Sequence, residues 1–138
     1  MVELKDLHII IAEDDDEDGE IVQQSFTNHP AFAKVDMVNN GKELIDFLLA
    51  APTKPHVILT DINMPILNGI EALYKICSDP RLSTIPSFAY STTINPVYEA
   101  KCLKLGVKGF LIKPFTISGF DEIPVKILET LMGKPLSA

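Results

Sequence analysis

Apolar and polar positions fall into blocks along this chain, and the blocks have two different periods. Leu7-His-Ile-Ile-Ile-Ala12 is a short, nearly continuous apolar run, the pattern of a strand buried on both faces. Val57-Ile-Leu-Thr60 and Phe110-Leu-Ile112 have the same character. Ile85-Pro-Ser-Phe-Ala-Tyr90 is a fourth run, with Pro86 near its start, where a missing N–H is tolerated. Lys34-Val-Asp-Met-Val38 alternates instead and predicts an edge strand.

Between these runs the spacing is helical. Glu20 to Asn28 places Ile21, Val22 and Phe26 on one side, and Asn40 to Ala50 places Leu44, Ile45, Leu48 and Leu49. Asn68 to Ser78 carries Ile70, Leu73, Ile76 and Cys77. Asn95-Pro96 opens a further helix as cap and first-turn proline, and Gly106 ends it. The last helix is predicted from Ser118 to Met132, with Pro124 placed to bend it or delay its start.

Strands and helices thus alternate five times, which predicts an α/β fold: a doubly wound, five-stranded parallel sheet with five helices on its two faces. In such sheets ligands bind beyond the carboxyl ends of the strands. Those ends carry the polar chemistry of the chain. The first predicted strand runs into Glu13-Asp14-Asp15-Asp16, the third into Asp61, the fourth into Ser91-Thr92-Thr93 and the fifth into Lys113-Pro114-Phe115. One crevice therefore gathers carboxylates, a lysine and hydroxyls. Clustered carboxylates repel one another unless a cation neutralises them, and hard oxygen ligands suit Mg²⁺. Asp61 is placed to act as a nucleophile that forms an acyl phosphate, with Lys113 as a point charge for a phosphate oxygen. Pro65 and Gly69 shape a tight turn behind Asp61, from which a backbone carbonyl near Asn63 points back at a metal.

The totals narrow the setting. The 138 residues suit one domain, with a core over 7–132 and a frayed tail over 133–138. The hydrophobic fraction of 46% supplies a core without disulfides. Cys77 and Cys102 are far apart and form no metal-binding pair, so buried thiols are the expectation. A net charge of −7 opposes binding to nucleic acid or an anionic membrane. The N-terminus lacks a signal-peptide pattern and no run is long enough to span a bilayer, so the expected location is cytoplasmic.

Four segments, each after its own strand and in this order, resemble the receiver domain of two-component response regulators. They are Ile9-Ile-Ile-Ala-Glu-Asp-Asp15, Val57-Ile-Leu-Thr-Asp-Ile-Asn-Met-Pro-Ile-Leu-Asn-Gly69, Ser91-Thr92 and Gly109-Phe-Leu-Ile-Lys-Pro-Phe115. The run Ser78-Asp-Pro-Arg-Leu-Ser-Thr-Ile-Pro86 is similar to that of single-domain regulators paired with phytochrome-type kinases. The resemblance implies a flavodoxin-like strand order 2-1-3-4-5 and a phosphorylation-dependent switch rather than an enzyme. By it, Asp61 is the phospho-acceptor, Asp14 binds Mg²⁺ directly, Glu13 acts through water and Asn63 supplies its carbonyl. Lys113 contacts the phosphoryl group, Ser91 (or Thr92) moves to it, and Phe110 is the switch aromatic, here without the frequent tyrosine hydroxyl. The Lys113–Pro114 bond is expected to be cis. The implied partners are a histidine kinase or phosphotransfer protein and a downstream protein target. A homodimer through helix 4, strand 5 and helix 5 is a further implication. No output domain is expected, so the signal leaves through a partner.

Other readings compete less well. Asp14-x-Asp16-x-Asp18-Gly19 imitates half an EF-hand loop but has Ser25 where the bidentate Glu belongs. A haloacid-dehalogenase-type phosphatase would place its nucleophile at Asp14, yet Asp18 stands where a hydroxyl residue is required. A receiver-like scaffold that takes no phosphate is opposed by the intact Glu13, Asp14, Asp61 and Lys113 set. Asp15, Asp16, Glu17 and Asp18 read as surface or first-turn acids. His8, His29 and His56 have no suitable neighbours in sequence and are given no catalytic role.

Overall fold

The structure is a computed structural model that describes residues 4–93 and 95–133. The predicted tail beyond Gly133 lies outside the described residues. Five strands form one parallel sheet: β1 (Leu7–Ala12), β2 (Phe32–Val38), β3 (Val57–Asp61), β4 (Ser87–Ser91) and β5 (Gly109–Ile112). Their order is β2-β1-β3-β4-β5, as the resemblance implied. The alternating strand β2 is one edge, and the apolar strands β1, β3 and β4 are interior. Strand β5, which has the same continuous apolar character in sequence, is nonetheless the other edge, with Phe110 half-buried and Ile112 exposed, because among the described residues no strand follows to cover it. The helices are α1 (Asp16–Thr27), α2 (Gly41–Ala50), α3 (Gly69–Ser78), α4 (Pro96–Leu105) and α5 (Glu122–Leu131).

Side chains on the two faces of the sheet feed different cores, as strand alternation requires. Ile9, Ile11, Leu59, Phe88 and Tyr90 pack with α1 and α5 through Val22, Phe26, Ile123 and Ile127. Ile10, Ala12 and Ile58 pack with α2 and α3 through Leu44, Leu48, Ala72 and Ile76. Ala89 joins Leu73, Cys102 and Val107 between α3 and α4. Cys102 is buried as predicted, while Cys77 is half-buried. Among the described residues no helix is long and apolar enough to cross a membrane.

Strand β2 starts at Phe32, two residues before the expected Lys34, and three further boundaries differ from the sequence expectation for a local reason. Helix α1 begins at Asp16, four residues before the predicted Glu20, because Asp15 caps it and accepts from the Asp18 N–H at 2.9 Å. Its first turn is all acid, which suits the positive end of the helix. Strand β4 starts at Ser87, after Pro86, and extends to Ser91. The last helix is delayed rather than kinked: a 3-10 turn over Ser118–Asp121 precedes α5. Pro124 is then the third residue of the helix, where an N–H has no intrahelical acceptor to lose.

One expectation is corrected outright. No peptide bond among the described residues is cis, so Lys113–Pro114 is trans. The trans isomer is favoured intrinsically by about 0.5–1 kcal/mol.

The turn after Asp61 is tight. Gly69 donates to the Ile62 carbonyl at 2.9 Å, and a Cβ built on Gly69 would lie 2.0 Å from the Asp61 carbonyl oxygen. Within the turn Leu67 donates to the Pro65 carbonyl at 2.7 Å across Ile66, whose φ is +70°. This is a three-residue turn with a β-branched residue in the left-handed region, a strained placement.

Two substitutions test these points by chemical denaturation. Ile66→Asn relieves the left-handed strain and is expected to stabilise the fold by about 1 kcal/mol. Pro124→Ala is expected to cost about 1 kcal/mol, through lost burial and a freer unfolded chain. A stabilisation on Pro124→Ala would mean that the proline strains the helix after all.

Candidate functional site

Parallel pairing puts the carboxyl ends of β1, β3, β4 and β5 side by side, and the predicted residues meet there. Glu13 and Asp14 follow β1, Asp61 ends β3, Ser91 ends β4 and Lys113 follows β5. Glu13, Asp61, Ser91 and Lys113 are buried, whereas Asp14 and Asn63 lie exposed on the rim.

Lys113 organises the cluster. Its ammonium lies 2.7 Å from Glu13 Oε1, 3.0 Å from Asp61 Oδ2 and 3.2 Å from Asp18 Oδ2. An ammonium has three N–H donors, and three carboxylates take them. Burial alone would lower the lysine's affinity for its proton. The carboxylates of Glu13 and Asp61 outweigh that and hold Lys113 above its ordinary range, so it stays charged. Glu13 moves the other way: burial first, then the neighbouring Asp61 carboxylate, raise its pKa.

The turn behind Asp61 orients it. The Asn63 N–H donates to Asp61 Oδ1 at 3.3 Å, while Oδ2 faces Lys113. Ser91 Oγ accepts from the Thr93 N–H at 3.4 Å. Thr92, the other candidate hydroxyl, is exposed. Phe110 is half-buried and packs against the cluster of Ala89, Cys102 and Val107, on the α3–α4 side of the sheet.

Two participants were not assigned to the site by the sequence reading. Asp18 reads as a surface or first-turn acid; it does lie in the first turn of α1, and from there its carboxylate is part-buried and accepts from Lys113. Tyr90 read as an apolar strand residue. It is fully buried, and its hydroxyl donates to Glu13 Oε1 at 2.5 Å. Burial, together with the adjacent Glu13 charge, drives the phenol pKa far up and keeps it an O–H donor. Neither role has a local sequence signal, because Tyr90 and Glu13 are 77 positions apart and Asp18 and Lys113 are 95 apart.

The donor set suits a hard divalent cation. One oxygen from each of Glu13, Asp14 and Asp61 lies within 4.8 Å of the others. All are carboxylate oxygens; Glu13 and Asp61 are buried while Asp14 on the rim is open to water, a hard oxygen set with one wet side that suits an ion such as Mg²⁺, which keeps part of its water shell. Four carboxylates (Glu13, Asp14, Asp18 and Asp61) face the one ammonium of Lys113, so the cluster carries uncompensated negative charge.

Comparisons with known proteins agree with this geometry. A profile of the response regulator receiver domain matches residues 9–123. Chemotaxis protein CheY1 of Helicobacter pylori is 33% identical over 85 residues, covering 62% of this chain and 65% of that protein's own length. The crystal structure of a phosphorylated cyanobacterial phytochrome response regulator, RcpA, superposes with a TM-score of 0.83 at 30% identity. The alignment covers 96% of this chain and 99% of RcpA. The Mn²⁺-bound response regulator Rcp1 superposes with a TM-score of 0.80 at 25% identity, covering 96% and 99%. The carboxylate–lysine cluster at the carboxyl edge of a 2-1-3-4-5 sheet, matched along most of the chain by the receiver profile, makes this protein a member of the response regulator receiver-domain family of two-component systems.

Proposed function

We propose that this receiver domain is a phosphorylation switch whose acceptor is Asp61, charged by a histidine kinase or phosphotransfer protein in the cytoplasm. The observation that carries the reading is the position of the Asp61 carboxylate. It ends the central strand, is oriented by the Asn63 N–H and lies 3.0 Å from Lys113 Nζ. Glu13, Asp14, Asp61 and the Asn63 carbonyl would hold Mg²⁺, with Glu13 acting through water. Such an ion neutralises charge on the phosphoryl oxygens during transfer.

The chain's own groups do the rest. A carboxylate oxygen of Asp61 attacks phosphorus, and the new O–P bond forms as the bond to the donor's leaving atom breaks. The leaving group keeps that electron pair. Lys113 steadies one phosphoryl oxygen as a point charge. The Ser91 hydroxyl turns from the Thr93 N–H toward another oxygen, and Phe110 follows it inward. The phosphorylated pocket favours the moved arrangement only by its differential contacts with it. The outlet is the α4–β5–α5 face, where Val97, Leu103, Ile112 and Val125 are exposed, for a target protein or a second copy of the chain.

Intact mass after incubation with acetyl phosphate and Mg²⁺ tests the acceptor. The expected result is a labile gain of one phosphoryl group, absent from Asp61→Asn and from a chelated sample. A gain that survives Asp61→Asn overturns the assignment. Lys113→Met leaves Glu13 and Asp61 buried without their counter-ion. In chelator it is expected to lose about 3 kcal/mol of stability or more, with saturating Mg²⁺ restoring part of that loss in thermal melts.

A further inference from the structure

The buried phenol of Tyr90 touches both charged arms of the site. Its hydroxyl passes β3 to donate to Glu13 Oε1, and its ring face lies 4.8 Å from Lys113 Nζ. It is a cation–π contact inside a desolvated site, where such contacts are strongest. Packing alone does not require the hydroxyl, since a phenylalanine fills the same core position beside Phe88, Leu111 and Phe120.

The donor count shows what the hydroxyl is for. All three N–H donors of Lys113 are taken, by Glu13, Asp18 and Asp61. A phosphoryl group arriving at Asp61 finds no spare donor, so Lys113 must release one carboxylate to hold it. Among the described residues, Glu13 Oε1 is the one oxygen of these three with a second side-chain donor. Releasing Asp61 would strip a buried oxygen of its only side-chain donor, whereas Asp18, with its side chain 30% exposed, can turn to water instead. Releasing Glu13 leaves its oxygen bonded to Tyr90. A buried carboxylate oxygen left without a donor is costly, so of its two buried partners Glu13 is the one that Lys113 gives up more easily.

We propose that Tyr90 is a positioning residue for phosphoryl transfer. Its hydroxyl keeps Glu13 satisfied while Lys113 turns to the incoming phosphoryl group, and its ring face keeps the ammonium within reach of Asp61. This role rests on Asp61 being the acceptor. No proton moves in the exchange: Lys113 trades one N–H···O contact for another, and the Tyr90 O–H bond stays intact.

The test is a double-mutant cycle of Tyr90→Phe and Glu13→Gln, read by two measurements. The first is the rate of Asp61 phosphorylation at saturating acetyl phosphate and Mg²⁺; the second is Mg²⁺ affinity by calorimetry. Tyr90→Phe keeps the ring, so the expected result is a rate loss of about tenfold with Mg²⁺ affinity changed less than about threefold. In the Glu13→Gln background, where position 13 no longer holds Lys113 through a carboxylate, the same substitution is expected to change the rate less than about twofold. A Tyr90→Phe rate within about twofold of the parent overturns the role, as does a tenfold loss that persists beside Gln at position 13. Labelling of the parent with an unaltered Tyr90→Phe rate removes the Tyr90 role alone. A parent protein that takes no phosphoryl group removes the Asp61 reading, and this role with it.

Discussion

The ion contacts of Lys113 are the constraint on which the site depends. Two nearly buried carboxylates, Glu13 and Asp61, sit at the end of a sheet whose interior is isoleucine, valine and leucine. Isolated charges in such a place would be expelled or neutralised by proton uptake. A single ammonium permits them to coexist, because it reaches Glu13, Asp18 and Asp61 together. That reach in turn requires β5 to lie beside β4 and to end level with β3. The Lys113 N–H to Ser91 carbonyl bond, at 2.8 Å, keeps this register one residue beyond the strand.

This arrangement is tense, and the tension is useful. Glu13 is pushed toward its protonated form by burial and by Asp61, even with Lys113 and Tyr90 bonded to it. Negative charge exceeds positive charge at the rim, so the field of the pocket favours a cation over an anion. The strained Ile66 turn holds the far side of Asp61 in a shape that relaxed backbone would not adopt. Buried ion clusters of this kind add little net stability. The hydrophobic layers on both sides of the sheet supply it, and the site draws on that reserve.

Division of labour between the two faces explains how a local event spreads. Tyr90 and Phe110 sit on neighbouring strands but on opposite sides of the sheet. Tyr90 belongs to the α1–α5 core, and Phe110 packs on the α3–α4 side. The first is locked by a hydrogen bond and full burial, while the second is only half-buried. A change at Asp61 therefore meets a rigid wall toward α1 and α5 and a softer one toward α4, whose exposed apolar side chains face outward.

Much of this was legible in the chain alone. Continuous apolar runs marked β1 and β3 as interior, alternation marked β2 as an edge, and asparagine caps placed the starts of α2, α3 and α4 within a residue. These are local signals: side-chain period, cap hydrogen bonds and the missing N–H of proline all act within a few residues. The positions of Glu13, Asp14, Asp61 and Lys113 followed too, because each directly follows or ends an apolar strand and strand ends share one edge. The start of α1 was hidden, since its first turn is stabilised by charge and capping and carries no apolar period. Asp18 and Tyr90 were hidden for a deeper reason. Which way a helical acid turns, and whether a buried phenol finds a partner, depend on the packing of elements far apart in sequence. The chain determined the sheet, its strand ends and the charges placed there; only tertiary structure decided that one ammonium is shared three ways and that a tyrosine backs it, because those contacts exist only once β1, β3, β4 and β5 lie side by side.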